Sequence, residues 1–285
     1  LDDETGATIF LKAENLQRTG AFKIRGASNA VALLAAEGVR HVATYSSGNH
    51  GQALAFAARE AGLSCTVLMP TDAPASKVAA TRGYGAQIVT YDRYSQDRRA
   101  LAESLASESG ATIVPPFDDP RIVAGQGTAV HELLQDVRDI DTVVTPIGGG
   151  GLLAGSCLAA AGRGIRMVGV EPQERRAARG ALEAGRQIEV PVVRTVCDGQ
   201  QTERVGALPL AIMLEHAAEV VGVTDDEVID TMRFLLQRCK VLVEPSGAAG
   251  LAAVRAGRLG AVAGRRIGVV LSGGNVDLDR LRELL

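Results

Sequence analysis

Lys23 stands in the segment Thr19-Gly20-Ala21-Phe22-Lys23-Ile24-Arg25-Gly26-Ala27. Ile24, Ala27, Val31 and Leu34 then fall on one helix face, so the lysine sits on the first turn of a helix. A cation suits the other end of a helix better, because the positive end of the dipole lies at the start. Most lysines are simply solvated. This one gains weight from three glycine-rich loops elsewhere in the chain. They are Ser46-Ser47-Gly48-Asn49-His50-Gly51, Gly148-Gly149-Gly150-Gly151 and Ser272-Gly273-Gly274-Asn275. In the second, missing Cβ atoms let the backbone approach a phosphate, and unpaired N–H groups at a helix start favour an anion. That loop lacks the Gly-Lys-Ser/Thr ending of a P-loop. It is also not a G-x-G-x-x-G fingerprint, which argues against nucleoside triphosphates and dinucleotides.

The elements that must position these loops alternate in type. Short β-branched runs are expected as strands at 42–46, 65–69, 87–91, 112–114, 142–147, 167–171 and 267–271. Ala-rich runs at 51–61, 76–82, 95–109, 123–136 and 152–161 are expected as helices. Such alternation implies βαβ units and parallel sheets with helices on both faces, an α/β fold. Each glycine loop follows a strand, where ligands collect in open α/β sheets, and all three face one edge if their strands run the same way. Thr224-Asp225-Asp226-Glu227 has the form of a capping box. Val228, Met232, Leu235, Leu236 and Cys239 follow at helical spacing. The proline-dense stretch at 115–120 reads either as a hinge or as a surface loop.

Composition excludes several classes. The chain has 285 residues, 46% hydrophobic, and a net charge of −3. A chain of that length tends to form two lobes. Mild acidity gives no reason to expect nucleic acid or an anionic membrane. No apolar run approaches the roughly 20 residues that span a bilayer. Aromatic residues make up 3% and tryptophan is absent, so stacking platforms for single strands are scarce. Cys65, Cys157, Cys197 and Cys239 lie far apart with no metal-ligand spacing, and no metal site is expected from them. Buried, reduced thiols point to a cytoplasmic setting.

Taken together, the motifs resemble the serine/threonine dehydratase and serine racemase family, the fold-type II pyridoxal 5'-phosphate (PLP) enzymes. The run from Leu11 to Gly26 is similar to the family's lysine motif, with Ala21 where serine is usual. The Ser46 loop, Ala124-Gly125-Gln126-Gly127-Thr128, the four-glycine loop, Glu244-Pro245-Ser246-Gly247 and the Ser272 loop follow in the family's order. The resemblance covers essentially the whole chain. It implies a two-lobed, tryptophan synthase β-like architecture, with a large PLP-binding domain (1–40 and 119–285), a small domain (41–118) and PLP in the cleft. A homodimer is expected from the family. The chain begins late by comparison, and no regulatory domain is expected after Leu285.

Residue roles come from the same resemblance. Lys23 holds PLP as a Schiff base and then serves as general base. Gly148, Gly149, Gly150, Gly151 and Leu152 cradle the phosphate. Asn49 bonds the ring's phenolic oxygen, Phe22 packs beside the ring, and Gly199 and Glu244 line its other edge. Ser272 faces the pyridine nitrogen; a hydroxyl there makes a weaker electron sink than a carboxylate would, which suits β-elimination. Ser46, Ser47, Gly48 and His50 take the carboxylate of a small amino-acid substrate, and Ser47 is where racemases place a second acid/base. The activity implied is dehydration and deamination of L-threonine or L-serine to a 2-oxo acid and ammonia. The alternatives are a serine racemase, a threo-3-hydroxyaspartate dehydratase or a non-catalytic PLP-binding protein.

Two segments depart from the family. In Glu171-Pro172-Gln173-Glu174-Arg175-Arg176-Ala177, arginines and an alanine stand where cation-activated members carry acidic ligands. A guanidinium from Arg175 or Arg176 is the expected substitute, against an exposed helix start with scattered charge. In Asp198-Gly199-Gln200-Gln201-Thr202-Glu203-Arg204-Val205-Gly206, the Gln-Thr-x-x-x-Gly pattern resembles the branch with fungal serine racemases and threo-3-hydroxyaspartate dehydratases. Arg204 there is expected either to read a second carboxylate or to lie on the surface.

Overall fold

The structure is a computed structural model describing the chain apart from Ser47, Pro74, Arg93 and Tyr94 and the side chains of Ala75, Ser76, Arg98 and Arg99. In chain order the elements are α1 (Asp2–Thr5), β1 (Thr8–Ala13), α2 (Lys23–Ala36), β2 (His41–Tyr45), α3 (Asn49–Glu60), β3 (Ser64–Pro70), α4 (Ala75–Gly83), β4 (Gln87–Tyr91), α5 (Arg98–Ser109) and β5 (Thr112–Ile113). They continue with α6 (Pro120–Asp136), β6 (Thr142–Pro146), α7 (Gly151–Ala160), β7 (Arg166–Pro172), α8 (Ala177–Ala184), α9 (Ala207–Glu215), β8 (Glu219–Val223), α10 (Asp225–Phe234), α11 (Pro245–Arg255), β9 (Arg266–Leu271) and α12 (Leu278–Leu284).

The chain divides into two compact units, Leu1–Phe22 with Gln126–Leu285, and Lys23–Gly125. The first carries a five-stranded sheet in the order β1-β9-β6-β7-β8, parallel throughout. Its strands alternate between two cores. Val144, Val168, Ile267 and Val269 belong to one, and Val143, Met167 and Val270 to the other. Period-two alternation with both faces apolar is what helices on both sides require. The second unit carries a parallel sheet in the order β4-β3-β2-β5. Val67 and Met69 pack on one face and Leu68 and Tyr91 on the other.

Two expectations change. The Gly148 and Ser272 loops leave β6 and β9 of one sheet, but the Ser46 loop leaves β2 of the other sheet, so the three do not share one edge. The helix opened by the Thr224–Glu227 capping box is present, but it turns π-helical over Leu235–Cys239. The wider turn changes the phase. Val228, Met232 and Leu235 are buried, whereas Leu236 is exposed and Cys239 only half-buried. Among the described residues no helix is long and apolar enough to cross a membrane.

Candidate active site

In the first unit the glycine loop joins β6 to α7. Gly150 has φ +97°, a left-handed conformation that favours glycine. A Cβ on Gly150 would lie 2.8 Å from Pro209 Cβ, and one on Gly148 would lie 3.0 Å from the Gly199 carbonyl. The loop therefore needs glycine for shape and for space. No side chain caps the start of α7, so its first N–H groups, on Gly151 and Leu152, have no side-chain acceptor from the cap.

Other motifs gather on the same unit. Ser246 Oγ accepts from the Gly199 N–H at 3.1 Å, tying the 198–200 turn to the start of α11. The Glu244 N–H donates to the Gly273 carbonyl at 3.0 Å, and a Cβ on Gly273 would meet the Glu244 carboxylate at 2.5 Å. Ser272 is buried, and its carbonyl accepts the Phe22 N–H at 3.0 Å. Backbone bonds thus tie Phe22 to Ser272 and Glu244 to Gly273. Gln126 is fully buried with both ends of its amide unpartnered, a group that a polar ligand satisfies.

Beneath the glycine loop lies Arg175, 2% exposed. Its guanidinium donates to the carbonyls of Ile147, Gly148 and Thr202, to Thr202 Oγ1 and to Glu171 Oε2. Burial pulls its pKa below the usual value, and Glu171 opposes the shift. Gln200 Nε2 adds bonds to the Ile147 and Val170 carbonyls at 3.1 and 2.7 Å. Arg176, the other candidate, is exposed and lies 3.6 Å from Glu183. Arg204 pairs with Glu189 at 2.9 Å, with Glu189 largely exposed. Gln200 escaped the sequence reading, and Thr202 entered it only through the Gln-Thr-x-x-x-Gly pattern, because a buried amide and a half-buried threonine look like any others in a polar run.

In the second unit Lys23 is the first residue of α2. Its Nζ donates to the Pro116 carbonyl at 2.7 Å, and burial pushes the amine down to about 8. His50 lies in the first turn of α3 and is 2% exposed. Its Nε2 is 3.0 Å from the Val114 carbonyl. A carbonyl only accepts, so Nε2 carries the proton and Nδ1 is left as an unpartnered acceptor. Burial first, then the neighbouring Lys23 charge, push the His50 pKa down to about 3. A neutral ring of this tautomer has no second N–H to offer, so any carboxylate bonded by the Ser46–His50 loop would be bonded through its backbone N–H groups.

Gly48 is the N-cap of α3, and among the described residues no side chain caps the helix. Ser46 Oγ accepts the Gly48 N–H at 3.3 Å. A Cβ on Gly51 would lie 2.7 Å from the Ser46 carbonyl, so glycine is needed there for space. Ser47, the expected second acid/base, lies outside the described residues. The Pro116 carbonyl that anchors Lys23 comes from the stretch that reads as a hinge or a loop, and the Val114 carbonyl that anchors His50 lies just before it. Backbone acceptors leave no trace in side-chain identity.

A buried amine lowered to about 8 and an uncapped glycine-rich helix start are the two functions that an aldehyde and a phosphate require. The family model of pyridoxal-phosphate dependent enzymes matches residues 1–273. The chain belongs to that family. Among relatives of this PLP-dependent enzyme, L-threo-3-hydroxyaspartate ammonia-lyase of Saccharomyces cerevisiae is 43% identical over all of the chain and 88% of its own length. Serine racemase of Schizosaccharomyces pombe is 41% identical over all of the chain and 89% of its own length. The crystal structure of serine racemase from Dictyostelium discoideum superposes with a TM-score of 0.90 at 37% identity, covering 97% of this chain and 90% of that one. These matches place the chain in the ammonia-lyase and racemase group of the family, with the fold-type II architecture expected from its motifs.

Proposed function

We propose that this enzyme converts a β-hydroxy amino acid to a 2-oxo acid and ammonia by elimination, with L-threo-3-hydroxyaspartate ahead of L-serine and L-threonine. The observation that carries elimination is Lys23: a buried amine, lowered to about 8, at the start of α2. The order of substrates is supported by the 43% identical relative named for hydroxyaspartate and by the Gln-Thr-x-x-x-Gly pattern at 201–206. The bookkeeping closes without an added oxidant or reductant. Water leaves from Cα and Cβ, and water returns when the C–N bond is hydrolysed.

The residues present suit PLP. Lys23 would bond it, Gly148, Gly149, Gly150, Gly151 and Leu152 would hold its phosphate, and Asn49, Phe22, Gly199, Glu244 and Ser272 would line its ring. Bound PLP supplies an electron sink that acidifies the substrate Cα–H. The chain supplies the rest. Lys23 Nζ accepts the Cα proton, which a group with pKa near 8 can do at a useful fraction near neutral pH. The N–H groups at the start of α3 take the substrate carboxylate. His50 stays neutral as a wall, so the charge facing that carboxylate comes from the backbone.

The test is oxo-acid release from purified enzyme given L-threo-3-hydroxyaspartate, L-serine and L-threonine, with chiral analysis of recovered substrate. Fastest turnover of hydroxyaspartate supports the full reading. Faster turnover of serine or threonine keeps elimination but reverses the order. Recovery of substrate inverted at Cα without oxo acid replaces the reading with racemisation, for which the serine racemase relative is the ground.

A further inference from the structure

Arg175 is bound more completely than any structural ion pair needs. A guanidinium has five N–H donors in a rigid fork. Nε donates to the Thr202 carbonyl at 2.9 Å. Nη1 donates to the Ile147 carbonyl at 3.3 Å and to Glu171 Oε2 at 3.1 Å. Nη2 donates to the Gly148 carbonyl at 3.0 Å and to Thr202 Oγ1 at 2.5 Å. One, two and two make five, so every donor is used and every partner is an oxygen.

The acceptors matter more than their number. Three backbone carbonyls, a hydroxyl and a carboxylate gathered around one side chain are the oxygen types that a hard divalent cation takes. Here the centre is taken by an arginine side chain, which cannot dissociate. The carboxylate is itself fixed. Glu171 Oε2 also accepts the Ala178 N–H at 3.0 Å, and Oε1 accepts the Arg179 N–H at 3.1 Å and Arg179 Nε at 3.2 Å. Two of the caged carbonyls belong to the peptide units that lead from β6 into the glycine loop. Aiming those carbonyls at Arg175 orients the peptides that carry the N–H groups of Gly148 and Gly149. Elsewhere among the described residues no group of three or more His, Cys, Asp or Glu side chains is placed to hold a metal.

We propose that Arg175 is a positioning residue for the cofactor's phosphate loop: a permanent internal cation in a five-oxygen cage, which makes cofactor retention independent of added divalent cations. The proposal rests on the reading of Gly148–Gly149–Gly150–Gly151 as the phosphate cradle. It assigns Arg175 no contact with substrate or cofactor. Its effect travels through the Ile147 and Gly148 carbonyls and through Thr202, so it belongs to binding of the cofactor before it belongs to turnover.

The experiment measures cofactor release from the holoenzyme by absorbance on dilution, with the melting temperature of each apoenzyme as a folding control. Wild type, Arg175→Lys, Arg175→Ala and Gly149→Asp are compared with EDTA, with millimolar magnesium and with millimolar guanidinium. Wild-type release should not change with EDTA or magnesium. Arg175→Ala should release PLP at least tenfold faster, and guanidinium or magnesium should slow that release again by entering the vacated cage. Arg175→Lys, which keeps the charge but has three donors, should fall between. Rescue by a small cation is something that a merely structural role would not show. Release from Arg175→Ala at the wild-type rate overturns the proposal, as does EDTA-accelerated release from wild type, an arm that needs no variant to fold. Gly149→Asp separates the two readings. If its carboxylate leaves PLP retention unchanged, the phosphate cradle fails and the Arg175 proposal falls with it. If Gly149→Asp loses PLP while Arg175→Ala keeps it, Arg175 alone is wrong.

Discussion

Lys23 and His50 occupy one unit and are both shifted downward by burial, yet they do opposite work. For Lys23 the shift leaves a base that titrates near 8. Lys23→Ala should cut turnover by ~10³-fold or more, since positioned acid–base catalysis contributes roughly 10²–10⁴ and the cofactor bond is lost as well. Oxo-acid release and the cofactor's visible absorbance check this together; near-normal rates would remove Lys23 from the chemistry. For His50 the shift is a statement about stability. Its ring is neutral in the folded chain down to about 3 but takes a proton near 6.5 when unfolded. The unfolded state then binds more protons between those values, so stability falls as pH drops from 6.5 toward 3. The ceiling is ~5 kcal/mol from the pKa difference. His50→Gln should flatten this acid-side loss in urea titrations between pH 7 and 4. An unchanged slope would mean that other groups set it. Lys23 gives the same sign in a higher pH window in the apoenzyme. Its depressed pKa makes stability rise as pH climbs from about 8 to 10.5, and Lys23→Met should abolish that rise.

At the scale of elements, the glycine loop invites the sharpest prediction. Gly150→Ala forces an L side chain to φ +97° and drives a Cβ to 2.8 Å from Pro209. Left-handed strain and overpacking together should cost ~2–4 kcal/mol. Part should appear in the urea midpoint and part as weaker PLP binding; full affinity with full stability would show that the loop tolerates a shape it does not have here. This loop was legible in the sequence because a strand, four glycines and an apolar helix are a local pattern. So were Lys23 at a helix start and the capping box at Thr224. Other parts were not. β1 is half-exposed along its whole length, so it shows no alternation and passes for a motif segment without structure. β8 was also missed, a five-residue edge strand that begins with an exposed glutamate. The partition of loops between two sheets is set by which strands pair, and pairing is not written in any one strand. Likewise, two adjacent arginines at 175 and 176 are equivalent in sequence. Arg176 takes φ +50° as the N-cap of α8, and that turn sends one side chain inward and the other to solvent.

For the molecule as a whole, the cofactor is a folding ligand as much as a reagent. PLP that binds the folded chain and not the unfolded one stabilises it by RT ln(1 + [L]/Kd), ~2.7 kcal/mol at a hundredfold excess over Kd. In a chain of this size each kcal/mol corresponds to a rise of about 2–4 °C in Tm. The phosphate loop supplies a way to divide the effect. Pyridoxal carries the aldehyde but not the phosphate. It can still reach Lys23 but makes no use of the N–H groups at the start of α7. At equal concentration pyridoxal should therefore raise Tm by less than half as much as PLP. Inorganic phosphate added with pyridoxal should recover part of the difference, because the two fragments then serve the amine and the glycine loop separately. The thermal shifts of the apoenzyme with PLP, with pyridoxal and with pyridoxal plus phosphate decide the matter. Equal shifts for PLP and pyridoxal would mean that the glycine loop is shaped by packing against Gly199, Val205 and Pro209 alone, and that the cofactor is held from its aldehyde end.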